Sequence, residues 1–158
     1  MSYTNADGLY VRTFRDQGEL SDNGAVLAGE RRQLVLTIDD ATEVPSSAAT
    51  PLPDEAFIPA NAYITGAYIM VDTAFTSDGA ATLTVGLYEA DGNAIDADGI
   101  DAAVALTAID GDGDVVNCDG DMVAGVVRPS ANAYVKANYG TAAFTAGAAK
   151  VVIDWILV

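Results

Sequence analysis

The chain has 158 residues, of which 23 are acidic and 7 basic, for a formal net charge of −16. So few lysines and arginines argue against binding nucleic acid, whose phosphates need cationic partners. No histidine and only one cysteine are present, which excludes an intrachain disulfide and removes most side-chain catalysis near neutral pH. Because 51% of the residues are hydrophobic, the charge lies on a folded domain rather than on a disordered chain. We therefore expect a folded protein that is not an enzyme.

The chain shows no targeting or membrane signal. Its first residues lack the basic and apolar regions of a signal peptide, and no apolar run reaches the roughly 18 residues that cross a bilayer. We expect synthesis in the cytoplasm and no membrane partner.

The N-terminal part differs from the rest. Residues 1–32 are polar and weakly periodic except at 9–14, so we interpret them as an extended arm in front of one domain at 33–158. The domain opens with strict alternation at 33–39, which predicts a half-buried strand. A connection rich in Pro, Ser, Thr and Ala follows at 41–53.

The middle of the chain continues the strand pattern. Residues 62–71 carry large apolar side chains on both faces, which predicts a strand covered on both sides. Residues 82–89 alternate like a half-buried strand, and residues 150–158 are so apolar that this strand must be paired and covered. Residues 101–109, an alanine-rich run behind an aspartate, are the one segment that we assign to a short helix.

Turn signals separate the strands. Further short strand candidates lie at 9–14, 56–58, 115–118, 122–127, 133–137 and 142–144. Gly, Asp and Asn form the predicted turns at 78–79, 91–93, 98–99, 119–120, 138–140 and 146–147. Many short strands at this spacing predict an all-β fold, an antiparallel sandwich or barrel with at most one short helix.

Charge is unevenly distributed along the chain. Residues 1–32 hold four basic and five acidic residues, a net charge of −1, whereas residues 33–158 hold three basic and eighteen acidic, a net charge of −15. The arginines of the arm are therefore candidates for contacting an acidic neighbour: Arg12, Arg15, Arg31 and Arg32. The alternative is that they pair with carboxylates of their own domain.

One acidic cluster is a candidate for calcium. Asp110, Asp112 and Asp114 alternate with glycine, as in the opening of a calcium loop, because Ca²⁺ takes several oxygen ligands. The bidentate Glu of a helical calcium hand is missing, with Asp121 at its place, and a second acidic turn at 96–101 adds ligands only if the fold brings it near. The alternative is ordinary solvated turns. We expect no metal site and no cofactor.

Other constellations favour structure over chemistry. A glycosidase needs two carboxylates at a defined separation, which a sequence does not show. Cys118 has acidic neighbours and no histidine as base, so we interpret it as a small core residue. The aromatic residues mostly alternate with aliphatic ones inside strands, which favours core packing over a sugar-binding platform.

Three stretches resemble small virion structural proteins of tailed bacteriophages, in particular the capsid decoration, or cement, proteins. They are FIPANAYITGAYIMVDTAF at 57–75, LTVGLYEADG at 83–92 and FTAGAAKVVID at 144–154. The resemblance implies a β-sandwich of jelly-roll type that binds the outer surface of the phage head, contacts the major capsid protein and forms a homotrimer.

The resulting functional prediction is a decoration protein that stabilises the head. Two alternatives stay open. One is a glycan-binding sandwich at a receptor-binding tip, with structural calcium, and the other is a neck or tail component of the virion.

Overall fold

A computed structural model describes residues 3–4, 10–11, 31–39, 57–123, 125 and 127–157. Within these ranges the chain forms ten strands and one 3-10 helix. The strands are β1 Tyr3–Thr4, β2 Tyr10–Val11, β3 Arg32–Asp39, β4 Phe57–Ile58, β5 Tyr63–Ser77, β6 Thr82–Tyr88, β7 Ala94–Ala105, β8 Val115–Asn117, β9 Ala133–Gly140 and β10 Phe144–Ile156, and the 3-10 helix is Leu106–Ala108.

Eight strands form two four-stranded antiparallel sheets. The first sheet has the order β3-β10-β5-β8 and the second β4-β9-β6-β7, while β1 and β2 pair separately. From β3 to β6 each successive strand enters the other sheet, β7 stays beside β6, and β8 to β10 alternate again. This is the strand order of a jelly roll, so the predicted all-β sandwich of jelly-roll type is confirmed.

The core lies between the two sheets and follows the predicted alternation. On β3 the side chains of Leu34, Leu36 and Ile38 are buried, and the residues between them are exposed. On β6 the inward residues Leu83 and Val85 are fully buried. Burial of each such side chain contributes about 1.5–3 kcal/mol. The largest fully buried side chains come from both sheets and from the connection after β7: Phe75, Ile38, Ile58, Ile64, Ile69, Leu83, Leu87, Ile100, Ile109, Ile153, Val85 and Val135.

The strand β5 departs from its predicted environment. Its pairing with β10 shifts register between Asp154 and Trp155, so that Ile64 and Ile69 both point into the core. On the other face Met70 is exposed and Tyr68 is half-buried. The prediction of a strand covered on both faces is therefore wrong, because the outer face of β5 is only partly covered and leaves Met70 exposed.

The C-terminal strand is longer than predicted. A turn was expected at 146–147 and a separate strand at 142–144, whereas β10 runs continuously from Phe144 and pairs with both β3 and β5. Gly147 sits at a register shift with φ of 137°, a conformation that side-chain-bearing residues avoid, and a Cβ there would overlap Phe75. The glycine marks a bulge rather than a turn.

The short helix predicted at 101–109 is also wrong in its main part. Residues up to Ala105 belong to β7, where Val104 pairs with Leu83, and only Leu106–Ala108 form a 3-10 turn. Pairing with β6 satisfies the backbone and buries Ile100 and Val104, which outweighs the modest helix preference of alanine.

Several predictions lie wholly or partly outside the described residues. The connection at 41–53 is not described, and of the arm at 1–32 only two short paired strands and residues 31 and 32 are. In the strand candidate at 122–127, Val123 forms a parallel bridge to Ile64. Among the described residues no helix has the length and apolarity needed to cross a membrane.

Candidate interaction surfaces

Two of the four candidate arginines, Arg31 and Arg32, lie within the described residues. Arg12 and Arg15 lie outside the described residues. The Arg31 guanidinium forms an ion pair with Asp154 at 2.8 Å, and the Gln33 amide donates to the other oxygen of that carboxylate at 3.0 Å. The alternative of pairing within the domain thus holds for Arg31. Its contact with a partner stays a prediction.

Arg32 lies against an aromatic ring. Its guanidinium carbon is 5.6 Å from the ring centroid of Trp155, within the range of a cation–π contact. Because β3 is an edge strand, both arginines stand at the β3 side of the sandwich.

The three calcium candidates form a loop against β5. An oxygen of Asp112 accepts a hydrogen bond from the Ala74 N–H at 2.7 Å, and an oxygen of Asp114 accepts one from the Gly111 N–H at 2.9 Å. Asp110 is exposed. Within the described residues no three acidic, cysteine or histidine side chains converge as a metal site would require. The Asp112 carboxylate therefore joins this loop to β5, and the Asp114 carboxylate closes the loop on itself.

Cys118 is buried beside a buried carboxylate. Burial, followed by the charge and hydrogen bond of Asp101, raises the pKa of the thiol far above its usual value. Burial also raises the pKa of Asp101, which is 4% exposed. The thiol therefore stays protonated at neutral pH and cannot act as a nucleophile.

A second group of polar side chains was missed by the sequence analysis. Lys136 is only 7% exposed, and its ammonium lies 5.1 Å from the ring centroid of Tyr88, whose hydroxyl accepts a hydrogen bond from Asn138 at 2.8 Å. Burial lowers the pKa of Lys136 and raises that of Tyr88. The only sequence signal is a lysine between apolar residues in a predicted strand.

One side of the sandwich is strongly acidic. Backbone N–H groups of Gly120 and Met122 donate to the carbonyls of Ile100 and Gly99, so the segment after β8 runs along β7. This brings together five carboxylates, which we call the acidic edge: Asp96, Asp98, Asp101, Asp119 and Asp121. Burial, together with contacts to Asp98 and Asp121, raises the pKa of Asp96.

The charge of the described residues is segregated by position. Residues 78–121, which form β6, β7, β8 and their connections, contain eleven acidic residues and no lysine or arginine. The remaining described residues contain five basic residues against three acidic ones, a net charge of +2. The domain therefore has one anionic side and one side that is nearly neutral.

The outer face of the first sheet carries apolar side chains. We define the apolar band as Val35, Tyr68, Met70, Val115 and Val152. The register places Val152 between Val35 and Tyr68, and Met70 beside Val115, so that the band crosses all four strands. Three of its members, Val35, Met70 and Val115, are exposed, whereas Tyr68 is half-buried and Val152 is buried between its neighbours.

Comparison with known proteins finds low similarity. No family model matches the chain, and no curated protein matches it. A structure of the capsid of Ralstonia phage GP4 is similar with 14% identity and a TM-score of 0.47, over 81% of this chain and 83% of that chain. A chain of the cyanophage Pam1 capsid asymmetric unit is similar with 14% identity and a TM-score of 0.45, over 92% of this chain and 98% of that chain. At these values neither protein's role is transferred to this chain.

Proposed function

We propose that this protein is a virion structural protein of a tailed bacteriophage, and specifically a decoration protein that binds the outer surface of the head. The observation that carries the proposal is the segregation of charge, with eleven acidic and no basic residues at 78–121. A jelly roll also occurs in lectins and cupins, so the fold alone does not select this role. The resemblance of the stretches at 57–75, 83–92 and 144–154 to virion proteins supports it.

Charge segregation defines an orientation. The anionic side gains by facing solvent, where its repulsion is screened, and it repels an acidic shell. The β3 side presents Arg31 and Arg32 and continues into the segment that holds Arg12 and Arg15. Guanidinium groups form forked hydrogen bonds with carboxylates, so this side fits the surface of a major capsid protein.

Stabilisation needs no chemistry. A protein that binds only the assembled shell stabilises it by mass action, and each copy that spans two shell subunits adds contact area across their junction. The expected consequence is a head that withstands heating better with the protein than without it.

The test compares phage particles with and without the protein. We expect particles that lack it to release DNA at a lower temperature, and imaging to show the protein outside the shell in hundreds of copies, as shell symmetry requires. Equal thermal stability would contradict the cementing role. About a dozen copies at the neck or tail would instead identify the tail component.

A matched set of variants tests the proposed contact side. Arg31→Gln with Arg32→Gln should weaken binding of the purified protein to heads stripped of it, because both guanidinium groups are lost. The control Arg128→Gln removes an exposed arginine that stacks on Tyr63. Equal binding by all variants would contradict contact through the β3 side.

A further inference from the structure

We propose that the apolar band on the outer face of the first sheet is a self-association surface that binds the same face of a second copy of this chain. The inference goes beyond the virion role and does not depend on it. Val35 is 54% exposed, Met70 41% and Val115 59%. Exposed apolar side chains that adjoin on one flat face are typical of protein–protein contacts.

The charges around the band favour a second copy of this chain as the binding partner. Lys150 pairs with Asp72 on one flank of the band, and Arg31 pairs with Asp154 on the other. With Asp39, the part of this face formed by β3, β5 and β10 holds two cations and three carboxylates, a net charge of −1, in a chain of net charge −16, and the carboxylates of Asp112 and Asp114 lie beyond it at the β8 margin. A second copy therefore meets a nearly neutral surface over these three strands, whereas contact through the acidic edge would oppose five carboxylates to five.

The face is also complementary to itself. In an isologous dimer a two-fold axis lies in the plane between the two copies, so the same patch of each copy meets its counterpart. The apolar band of one copy then packs against the apolar band of the other. Each flank, which carries one cation and one carboxylate, meets a flank of the same kind. Lys150 and Asp72 are about equally exposed, so each can reach across to the partner copy's opposite charge without leaving an unpaired group.

The size of the face sets the strength of the contact. Three strands spaced about 4.8 Å apart over the eight residues of β3, together with the three residues of β8, cover roughly 450 Å² per copy. This lies below the roughly 800 Å² per partner of a standard interface. We therefore expect a dimer that dissociates on dilution rather than a permanent one.

The test measures the mass of the full-length protein by sedimentation between about 1 µM and about 1 mM, the range in which a small interface dissociates. We expect a monomer–dimer equilibrium. Val35→Asp and Val115→Asp should each raise the dissociation constant at least about tenfold, because each places a carboxylate inside the band.

The chain offers a matched control and an internal reporter. Val127 is 47% exposed and lies outside the band, so Val127→Asp adds the same charge and should leave the dimer unchanged. Oxidation of Met70 should slow as concentration rises in the parent protein but not in Val35→Asp, while thermal unfolding verifies that each variant is folded.

Two results would overturn the proposal. One is a monomer at every concentration, whether Met70 is protected by another segment of its own chain or freely oxidised. The other is a dimer that Val127→Asp weakens as much as Val35→Asp and Val115→Asp do.

Discussion

Two charged side chains are buried in the described part of the molecule, and each lies beside a polar or aromatic partner. Asp101 faces the thiol of Cys118 at the border between the sheets, and Lys136 lies against the ring of Tyr88 on the outer face of the second sheet. Burying a charged group is costly unless its surroundings compensate. These positions are therefore where single substitutions most directly report the electrostatics of the fold.

The first prediction concerns Asp101→Asn. Burial raises the folded pKa of Asp101, so the folded state binds this proton more tightly than the unfolded state, whose pKa is about 3.9. The parent protein therefore loses stability as pH rises from about 3.9 through the raised folded value. The amide introduced by Asp101→Asn does not ionise, so the variant does not lose this stability as pH rises. Its oxygen can still accept the hydrogen bond from the Cys118 thiol.

We expect Asp101→Asn to have a higher melting temperature relative to the parent at pH 7 than at pH 4, measured by calorimetry. Asp110→Asn, which removes an exposed carboxylate, is the control for the loss of one charge. An identical difference at both pH values would show that the Asp101 proton is not linked to folding.

At the scale of elements, the most unusual feature is a large bulge in β7 where it pairs with β6. Val85 pairs with Asp101 and Leu87 with Asp96, so two steps along β6 correspond to five along β7. The extra residues bulge over β6 at Gly86, where the β7 backbone comes close enough to exclude a side chain. The bulge explains why Gly86 is buried although its position is on the outer side of the sheet.

The second prediction follows from this close approach. A Cβ at position 86 would overlap the carbonyl of Ala97, so we expect Gly86→Ala to destabilise the fold by about 1–3 kcal/mol, as overpacking does. Gly66→Ala is the matched control, since a Cβ there meets nothing within 4 Å. Urea unfolding measures both. Equal stabilities of the two variants would mean that the bulge does not press on β6.

At the scale of the whole molecule, the net charge of −16 acts against compactness. The ion pairs of Arg31 with Asp154 and of Lys150 with Asp72 lie on the first sheet rather than at the acidic edge. Repulsion among the acidic residues of 78–121 is therefore the dominant long-range electrostatic effect, and salt screens it.

The third prediction is that sodium chloride stabilises the protein. Raising it from about 0.02 M to about 0.5 M shortens the screening length to a few ångström and should raise the melting temperature by several degrees. The double variant Asp119→Asn/Asp121→Asn, which removes two exposed carboxylates of the acidic edge, should gain less. A melting temperature that falls with salt would show that ion pairs outweigh repulsion.

The fourth prediction concerns calcium. Asp112 and Asp114 accept backbone hydrogen bonds, so we expect calcium chloride to raise the melting temperature no more than magnesium chloride at the same concentration. The control is the parent protein in EDTA. A shift specific to calcium, abolished in Asp114→Asn, would favour the glycan-binding alternative.

Much of the architecture could be predicted from local patterns. The strands β3, β6, β9 and β10 are recognisable because period-two alternation follows directly from a face that packs on a core. The helix at 101–109 and the turn at 146–147 were wrong because alanine and glycine are locally ambiguous. Pairing partners far along the chain decide whether such residues continue a strand, turn or bulge.

The candidate surfaces were less predictable. The acidic edge joins residues of β7 with residues beyond β8, and the apolar band joins four strands that are distant in the chain. The sequence shows Tyr68 and Met70 only as apolar residues in a strand, and local alternation does not say which face another layer covers.

By itself, the sequence determined the class of fold, the anionic character and the absence of histidine chemistry, because alternation and composition are properties of neighbouring residues and of totals. Only the tertiary structure decided the jelly-roll order, the burial of Asp101 and Lys136, and the exposure of the apolar band. These depend on contacts between residues far apart in the chain, and such contacts arise from packing the two sheets together rather than from local preference.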